Sequence, residues 1–164
     1  LLARHPELSF TWVCGRDERI AAAGYLATNV RGQVTFSDPM PQPDLLALYD
    51  RHGLFIMPSL FEGFGKVFVE AMSRGLCVVA SNTGGMADLI RSGKDGLLVP
   101  AGDAGALREG LAKLLVQPEQ AIAIGRLAVN TAKAYSWERV GRNTVDFYRA
   151  LLERNDPHRC IPSS

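Results

Sequence analysis

Residues 58–72 read PSLFEGFGKVFVEAM and link a predicted strand to a predicted helix. An apolar run, residues 54–57, comes directly before it, and residues 66–74 have a helical pattern that stops at a glycine. A strand that passes through a glycine turn into a helix is the repeating unit of a parallel α/β fold. Gly63 and Gly65 allow a tight turn and the close approach of a ligand. Because the helix begins with free N–H groups and the positive end of its dipole, the turn predicts an anion site suited to a diphosphate.

Two carboxylates flank this turn. Glu62 lies in the loop, and Glu70 lies about a turn and a half into the helix, so the two are not expected to pair with each other. Carboxylates on both sides of a phosphate-binding turn suit a ligand with hydroxyl groups on either side of its phosphates. A sugar nucleotide, made of hexose, diphosphate and ribose, has that shape. Taken singly, each Glu is also explained as an exposed carboxylate near a helix start, which is favoured by about 0.3–1 kcal/mol.

The alternation of strands and helices continues on both sides of the turn. Strands are predicted at five mostly apolar runs, residues 8–14, 34–36, 54–57, 77–80 and 96–99. Helices are predicted at residues 17–28, 44–50, 66–74 and 86–91, after Asp103, from Pro118, and at residues 137–152. The predicted helix caps are Asp44, Asp103 and Ser136. Together these elements predict a doubly wound, Rossmann-like α/β domain with a parallel sheet and flanking helices.

The predicted sheet has a gap. In the strand order 3-2-1-4-5-6 the first strand is central, whereas this chain opens on what resembles the end of a helix, residues 1–6. The first strand is therefore expected to be missing, and an upstream segment is expected to fill the gap between otherwise unpaired strand edges. The domain is predicted to span residues 1–154, partial at its N-terminus, with a loose tail at residues 155–164.

The composition argues against several other classes of protein. The 164 residues suit one domain, and the net charge is +1 with acids and bases interspersed. Because no basic stripe is present to follow a phosphate backbone, a nucleic-acid partner is not expected. No apolar run reaches the length of a membrane span. Cys14 and Cys77 lie in strand-like runs and are expected to be buried thiols in a reducing compartment, so a cytoplasmic location is predicted.

The central stretch and its flanking blocks resemble the donor-binding domain of the retaining group 1, or family 4, glycosyltransferases. These enzymes have the GT-B architecture of two Rossmann-like domains. The specific element is a Glu, seven residues and a second Glu, with Gly-Phe-Gly after the first. The resemblance covers essentially the whole chain and rests on His5-Pro6, residues 58–72, residues 75–81, Gly84-Gly85, residues 96–100, Gly102-Asp103 and residues 136–138.

The resemblance implies an activity and a role for each site residue. The activity is transfer of a glycosyl group from a nucleoside diphosphate sugar to an acceptor, with retained anomeric configuration and without a bound metal or other cofactor. Glu62 would be the catalytic residue that contacts the transferred sugar, and Glu70 would accept hydrogen bonds from the ribose. The other implied donor contacts are Gly63, Phe64 and Gly65 in the turn, Lys66 and Val67 at the helix start, Phe36 and Asp38 at the nucleobase, and Gly84 and Gly85.

The chain also departs from the family pattern. The family's phosphate-binding Arg and Lys and its acceptor-binding N-terminal domain are implied to precede Leu1, so this chain alone is expected to be inactive. Any membrane-attachment patch would lie in that acceptor half. Asp38 stands where the family commonly has Gly. Lys66 replaces a usually apolar residue, and its side chain either reaches a phosphate or is solvated at the helix start. The Gly84-Gly85 pair either forms a turn before the next helix or approaches the bound nucleotide sugar.

Two alternatives to a transferase remain open at this point. An epimerase or phosphorylase of the same two-domain architecture would carry a similar sheet. A nucleotide-binding module, or an inactive remnant, would hold the nucleotide and transfer no sugar. Complementation by an N-terminal half that restores transfer would exclude the second alternative.

Overall fold

The computed structural model describes residues 1–154, in which five strands alternate with helices. The strands are β1 (Phe10–Val13), β2 (Val34–Ser37), β3 (Leu54–Met57), β4 (Cys77–Ser81) and β5 (Leu97–Val99). The α-helices are α1 (Arg16–Tyr25), α2 (Gln42–Tyr49), α3 (Lys66–Ser73), α4 (Gly84–Leu89), α5 (Ala104–Val116), α6 (Pro118–Lys133) and α7 (Trp137–Arg154). Short 3₁₀ helices span Leu2–Arg4 and Thr28–Gln33.

All strand pairs are parallel, which confirms the predicted α/β class with flanking helices. The strands form two sheets, β1-β2 and β3-β4-β5, instead of one. Thr11 of β1 lies 3.0 Å from His52, just ahead of β3, between the Thr11 Oγ1 and His52 Nε2 atoms. The division into two sheets is the break expected of the order 3-2-1-4-5-6 without its first strand. The upstream segment stays a prediction.

The core lies on both faces of β4, whose five residues are all buried. Side chains alternate between the faces of a strand. Accordingly, Val78 and Ala80 belong to one apolar cluster, with Phe68 and Met72 of α3. Cys77 and Val79 belong to another, formed with α5 and α6. Burial raises the pKa of Cys77 to about 11, so its thiol is protonated at neutral pH. Cys14 is likewise buried and free.

A buried ionic network fastens the loop before β5 to α6. The Asp95 side chain is fully buried and accepts hydrogen bonds from the Arg91 backbone N–H at 2.7 Å and from Thr131 Oγ1 at 2.7 Å. The guanidinium of Arg91 also donates to Asp95, through Nε at 2.8 Å. Burial opposes ionisation of this carboxyl, but the hydrogen bonds from Thr131 and Arg91 and the charge of Arg91 outweigh it and lower the pKa of Asp95.

Several predicted helix ends are corrected by the structure. Asp44 does not cap α2, because the helix begins at Gln42 after Pro41 and places Asp44 inside its first turn. Pro43, which lacks an N–H, fits the second position of this first turn. The helix predicted for residues 17–28 ends at Tyr25, and α4 begins at Gly84 instead of Met86.

The last three predicted helices are present with their predicted starts. Asp103 caps α5 by accepting a hydrogen bond from the Ala106 N–H at 2.8 Å. Pro118 opens α6 as its first residue, and Ser136 accepts a bond of 3.4 Å from the Arg139 N–H at the start of α7. No residue of α7 is buried against the rest of residues 1–154. The tail predicted at residues 155–164 lies outside the described residues, and the domain division stays a prediction.

Candidate functional site

The turn between β3 and α3 depends on the conformation of Gly65. This residue precedes the first residue of α3 and has left-handed dihedral angles, φ 75° and ψ 60°. A Cβ atom placed on it would lie 2.9 Å from Glu62 Cγ and 3.0 Å from Phe68 Cδ1. A side chain here would be strained by the backbone and obstructed by both neighbours. The glycine therefore lets the chain turn sharply and keeps Glu62 close to the helix start.

The start of α3 is open to a ligand. Gly65 offers no side chain to cap the helix, and no side-chain hydrogen bond caps it among the described residues. The Phe68 N–H is satisfied by the Gly65 carbonyl at 3.1 Å. Lys66 and Val67, the first two residues of the helix, are exposed. Uncapped N–H groups and a positive dipole end favour an anion at this position.

The Gly84-Gly85 pair packs directly on the turn. The Gly85 N–H donates a hydrogen bond of 2.8 Å to the Gly63 carbonyl. A Cβ atom at Gly84 would lie 1.7 Å from the Glu62 carbonyl oxygen, and one at Gly85 would lie 2.6 Å from that of Phe64. The close packing of the start of α4 on the turn thus requires glycine at both positions, whether or not a ligand is bound. A direct donor contact by this pair stays a prediction.

The Glu70 side chain is held by two side chains, Gln42 and Lys66, which contact the same carboxylate oxygen. It is 13% exposed, and its Oε1 atom lies 3.4 Å from Lys66 Nζ, one helical turn earlier. The same oxygen accepts a hydrogen bond of 2.9 Å from Nε2 of Gln42, at the start of α2. Lys66, which is 62% exposed, thus pairs with Glu70 in this structure. Glu62 is half-buried in the loop at the other side of the turn.

The two residues predicted at the nucleobase lie in β2 of the two-stranded sheet and directly after it. Phe36 is in β2 and stacks on Trp12 of β1, with ring centroids 6.0 Å apart. Asp38 follows β2 and is 76% exposed, and its Oδ1 accepts a bond of 2.5 Å from Arg19 of α1. The carboxylate expected to border the base is therefore already paired with a cation. The carboxyl ends of β2 and β3 lead into the two halves of the candidate site.

Three side chains near the site were not identified from the sequence: Gln42, Arg19 and Tyr135. Tyr135 follows α6 and packs beside Phe64 of the turn, with ring centroids 6.0 Å apart. Each contact joins residues 19 or more positions apart, such as Gln42 with Glu70. No local pattern signals such contacts, because they depend on how the helices pack.

Within residues 1–154, no group of three His, Cys, Asp or Glu side chains is arranged to hold a metal ion. In the same part of the chain, no helix is both long and apolar enough to cross a membrane. A metal-free reaction stays a prediction.

Comparison with known proteins defines the class to which this fold and turn belong. Residues 5–130 match the family model described as glycosyl transferases group 1, and the chain belongs to this family. The D-inositol 3-phosphate glycosyltransferase of Corynebacterium urealyticum is 34% identical over 159 residues, which are 92% of this chain and 38% of that protein. The enzyme of the same name from Kribbella flavida is 34% identical over 118 residues, 72% of this chain and 28% of its own. The chain thus spans well under half the length of these curated relatives.

Two solved structures have the same fold over most of this chain. Sucrose-phosphate synthase from Thermosynechococcus elongatus superposes with a TM-score of 0.81 and 28% identity, over 94% of this chain and 41% of that one. HepE of Anabaena, solved in complex with UDP-glucose, superposes with a TM-score of 0.76 and 24% identity, over 93% and 43% of the two chains. The likeness to HepE concerns the fold alone. The family match and these superpositions confirm the predicted relation to one half of the GT-B architecture.

Proposed function

We propose that this chain is the donor-binding domain of a retaining glycosyltransferase that takes a nucleoside diphosphate sugar. The observation that carries the proposal is the turn from Glu62 to Gly65, which joins β3 to the uncapped start of α3. It lies between two carboxylates in a chain of the group 1 glycosyltransferase family. In this proposal the diphosphate of a sugar nucleotide would bind at the helix start, and the hydroxyl groups of its hexose and ribose would bind the two carboxylates.

The turn would act mainly by electrostatic stabilisation. As the glycosyl bond breaks, negative charge grows on the departing diphosphate, and N–H groups already directed at it lower the barrier without reorganisation. Glu70 would accept hydrogen bonds from the ribose hydroxyls, and Glu62 from hydroxyls of the transferred sugar. A hydrogen bond to a charged group contributes about 1.5–3 kcal/mol. Gly63, Phe64 and Gly65 supply the backbone N–H groups, while Phe36 and Asp38 border the base.

Transfer itself would require a second domain. The chain spans 28–38% of the length of its curated relatives, which leaves room in them for an acceptor-binding partner domain. We place catalysis in the cleft between that domain and the turn at Glu62, and we expect this chain alone to bind donor without transferring sugar. The buried free thiols of Cys14 and Cys77 suit a reducing compartment, which supports a cytoplasmic location.

Calorimetric titration with UDP-, GDP- and ADP-glucose tests the donor site in the 164-residue chain. One nucleotide class is expected to bind, and Glu70→Ala is expected to weaken its binding about 10- to 100-fold, in line with one lost charged hydrogen bond. Glu62→Ala should weaken binding of the sugar nucleotide more than binding of the free nucleoside diphosphate. Glu109→Ala, which removes an exposed carboxylate of α5, serves as the matched control and should change nothing.

Two results would contradict the proposal. One is a chain that is folded by circular dichroism and binds none of the three nucleotide sugars. The other is donor binding that Glu62→Ala and Glu70→Ala leave as strong as in the control. Retention is tested separately, by the anomeric configuration of the product that the complete enzyme forms, as seen by NMR. An inverted product would refute the retaining mechanism while leaving the donor site in place.

A further inference from the structure

We infer that Gln42 is a positioning residue for the donor site, which orients the Glu70 carboxylate so that its Oε2 atom meets the ribose hydroxyls. This inference rests on the proposed function, since it assigns Glu70 to the ribose. It adds a residue from another helix, 28 positions earlier in the chain. Gln42 acts through Glu70 and is not itself a catalytic residue.

The packing of α2 holds Gln42 at the site. Gln42 is the first residue of α2, and Tyr49 is its last. Seven positions apart on a helix correspond to about two turns, so both side chains lie on the same face. Tyr49 is buried in the apolar cluster that contains Phe68 and Met72 of α3. The face of α2 that carries Gln42 is therefore fixed against α3, the helix that carries Glu70.

The hydrogen-bond and ion-pair partners of Glu70 leave one of its two carboxylate oxygens available to a ligand. Gln42 Nε2, at 2.9 Å, and Lys66 Nζ, at 3.4 Å, both reach Oε1. Within residues 1–154 no hydrogen-bond or ion-pair partner reaches Oε2. An ionised carboxylate accepts hydrogen bonds at both oxygens. With Oε1 engaged from two sides, the carboxylate keeps one orientation and presents Oε2 to an incoming hydroxyl.

Gln42 and Lys66, the two side chains that contact Oε1, differ in how strongly they constrain the Glu70 carboxylate. Both side chains are exposed, but Lys66 sits on the same helix as Glu70 and has a flexible stem, so it constrains the carboxylate less. Gln42 comes from a different helix, and its amide fixes where Oε1 lies relative to the end of β2. The amide is neutral, so it orients Glu70 without cancelling the charge that attracts the hydroxyl groups. Without Gln42, Lys66 alone would hold Oε1, and the carboxylate would be free to change its orientation.

A double-mutant cycle measured on two kinds of ligand tests this role. Calorimetry on the 164-residue chain would use UDP, GDP and ADP, each beside its 2′,3′-dideoxy counterpart. The variants are Gln42→Ala, Glu70→Ala, the double variant, and Gln117→Ala as a matched control at an exposed glutamine. Gln42→Ala is expected to weaken binding of the ribonucleotide about 3- to 10-fold, the range for one hydrogen bond. Its effect should vanish in the Glu70→Ala background and on the dideoxy ligand. Gln42→Glu, which sets two carboxylates together, should weaken binding further.

Each other outcome overturns a specific claim. If Gln42→Ala weakens binding equally with and without Glu70, or equally on the dideoxy ligand, then Gln42 touches the ligand or serves the fold, and the positioning role is wrong. If Gln42→Ala binds like Gln117→Ala while Glu70→Ala is impaired, the positioning role is wrong and the donor site stands. If the folded wild-type chain binds no nucleotide, or Glu70→Ala has no effect, the donor-site proposal fails and the positioning role fails with it.

Discussion

Replacement of Gly65 by alanine tests whether the turn is built as described. Gly65 adopts φ 75°, in the left-handed region where an L-residue with a Cβ is strained by about 1–2 kcal/mol. The new Cβ would also lie 2.9 Å from Glu62 Cγ and 3.0 Å from a ring carbon of Phe68, which is fully buried. Overpacking of this kind costs about 1–3 kcal/mol. We therefore expect Gly65→Ala to lower the free energy of unfolding by about 2–5 kcal/mol.

The matched control for this variant is Gly63→Ala, two residues earlier in the same turn. A Cβ atom at Gly63 would meet no heavy atom within 4 Å, and its φ is not positive. Alanine here should leave stability unchanged or raise it by up to about 1 kcal/mol, because it restricts the unfolded chain. Urea unfolding followed by circular dichroism measures both variants. If the two differ by less than about 0.5 kcal/mol, the described turn geometry is refuted.

Further predictions concern Gly85 at the start of α4, the buried network around Asp95, and metal dependence. Gly85→Ala should destabilise the chain by about 1–3 kcal/mol and weaken donor binding, because the new Cβ would lie 2.6 Å from the Phe64 carbonyl oxygen. An unchanged urea midpoint and an unchanged affinity would contradict this prediction. The lowered pKa of Asp95 means that its contribution is present above the ordinary aspartate pKa, near 4, and is lost as pH falls through the lower folded value. Stability should therefore drop with acid below about pH 4, and a drop equally steep in Asp95→Asn would show that another group is responsible. A chelator should leave transfer by the complete enzyme intact, and abolished activity would overturn the metal-free mechanism.

The order and type of the elements could be predicted from the sequence because their signals are local. The apolar run at residues 77–80 became β4, and Gly65 marked the start of α3. Asp103 and Pro118 marked helix starts whose chemistry depends on neighbouring backbone groups alone. The separation of the strands into two sheets followed from counting them against the order of a doubly wound fold.

What could not be predicted depends on backbone competition or on long-range packing. Asp44 has the side chain of a cap, but the adjacent prolines set the helix start two residues earlier. The close approach of Gly84 to the Glu62 carbonyl joins two separate elements, and no local pattern signals it. The hydrogen bond from Gln42 to Glu70 joins two helices whose approach no sequence spacing encodes. The parts of the site within one turn were therefore predictable, and the parts contributed by other elements were not.

The central claim is that the nucleotide sugar binds at the turn between Glu62 and Glu70. Its most direct test is a titration of the ¹⁵N-labelled chain with UDP-, GDP- and ADP-glucose, followed by the backbone amide signals in two-dimensional NMR. We predict that one nucleotide class shifts the amides of residues 62–67 most strongly, together with those after Phe36, while the amides of α5 stay in place. Saturation with shifts confined to other parts of the chain would contradict the claim, as would a folded chain whose spectrum none of the three ligands changes.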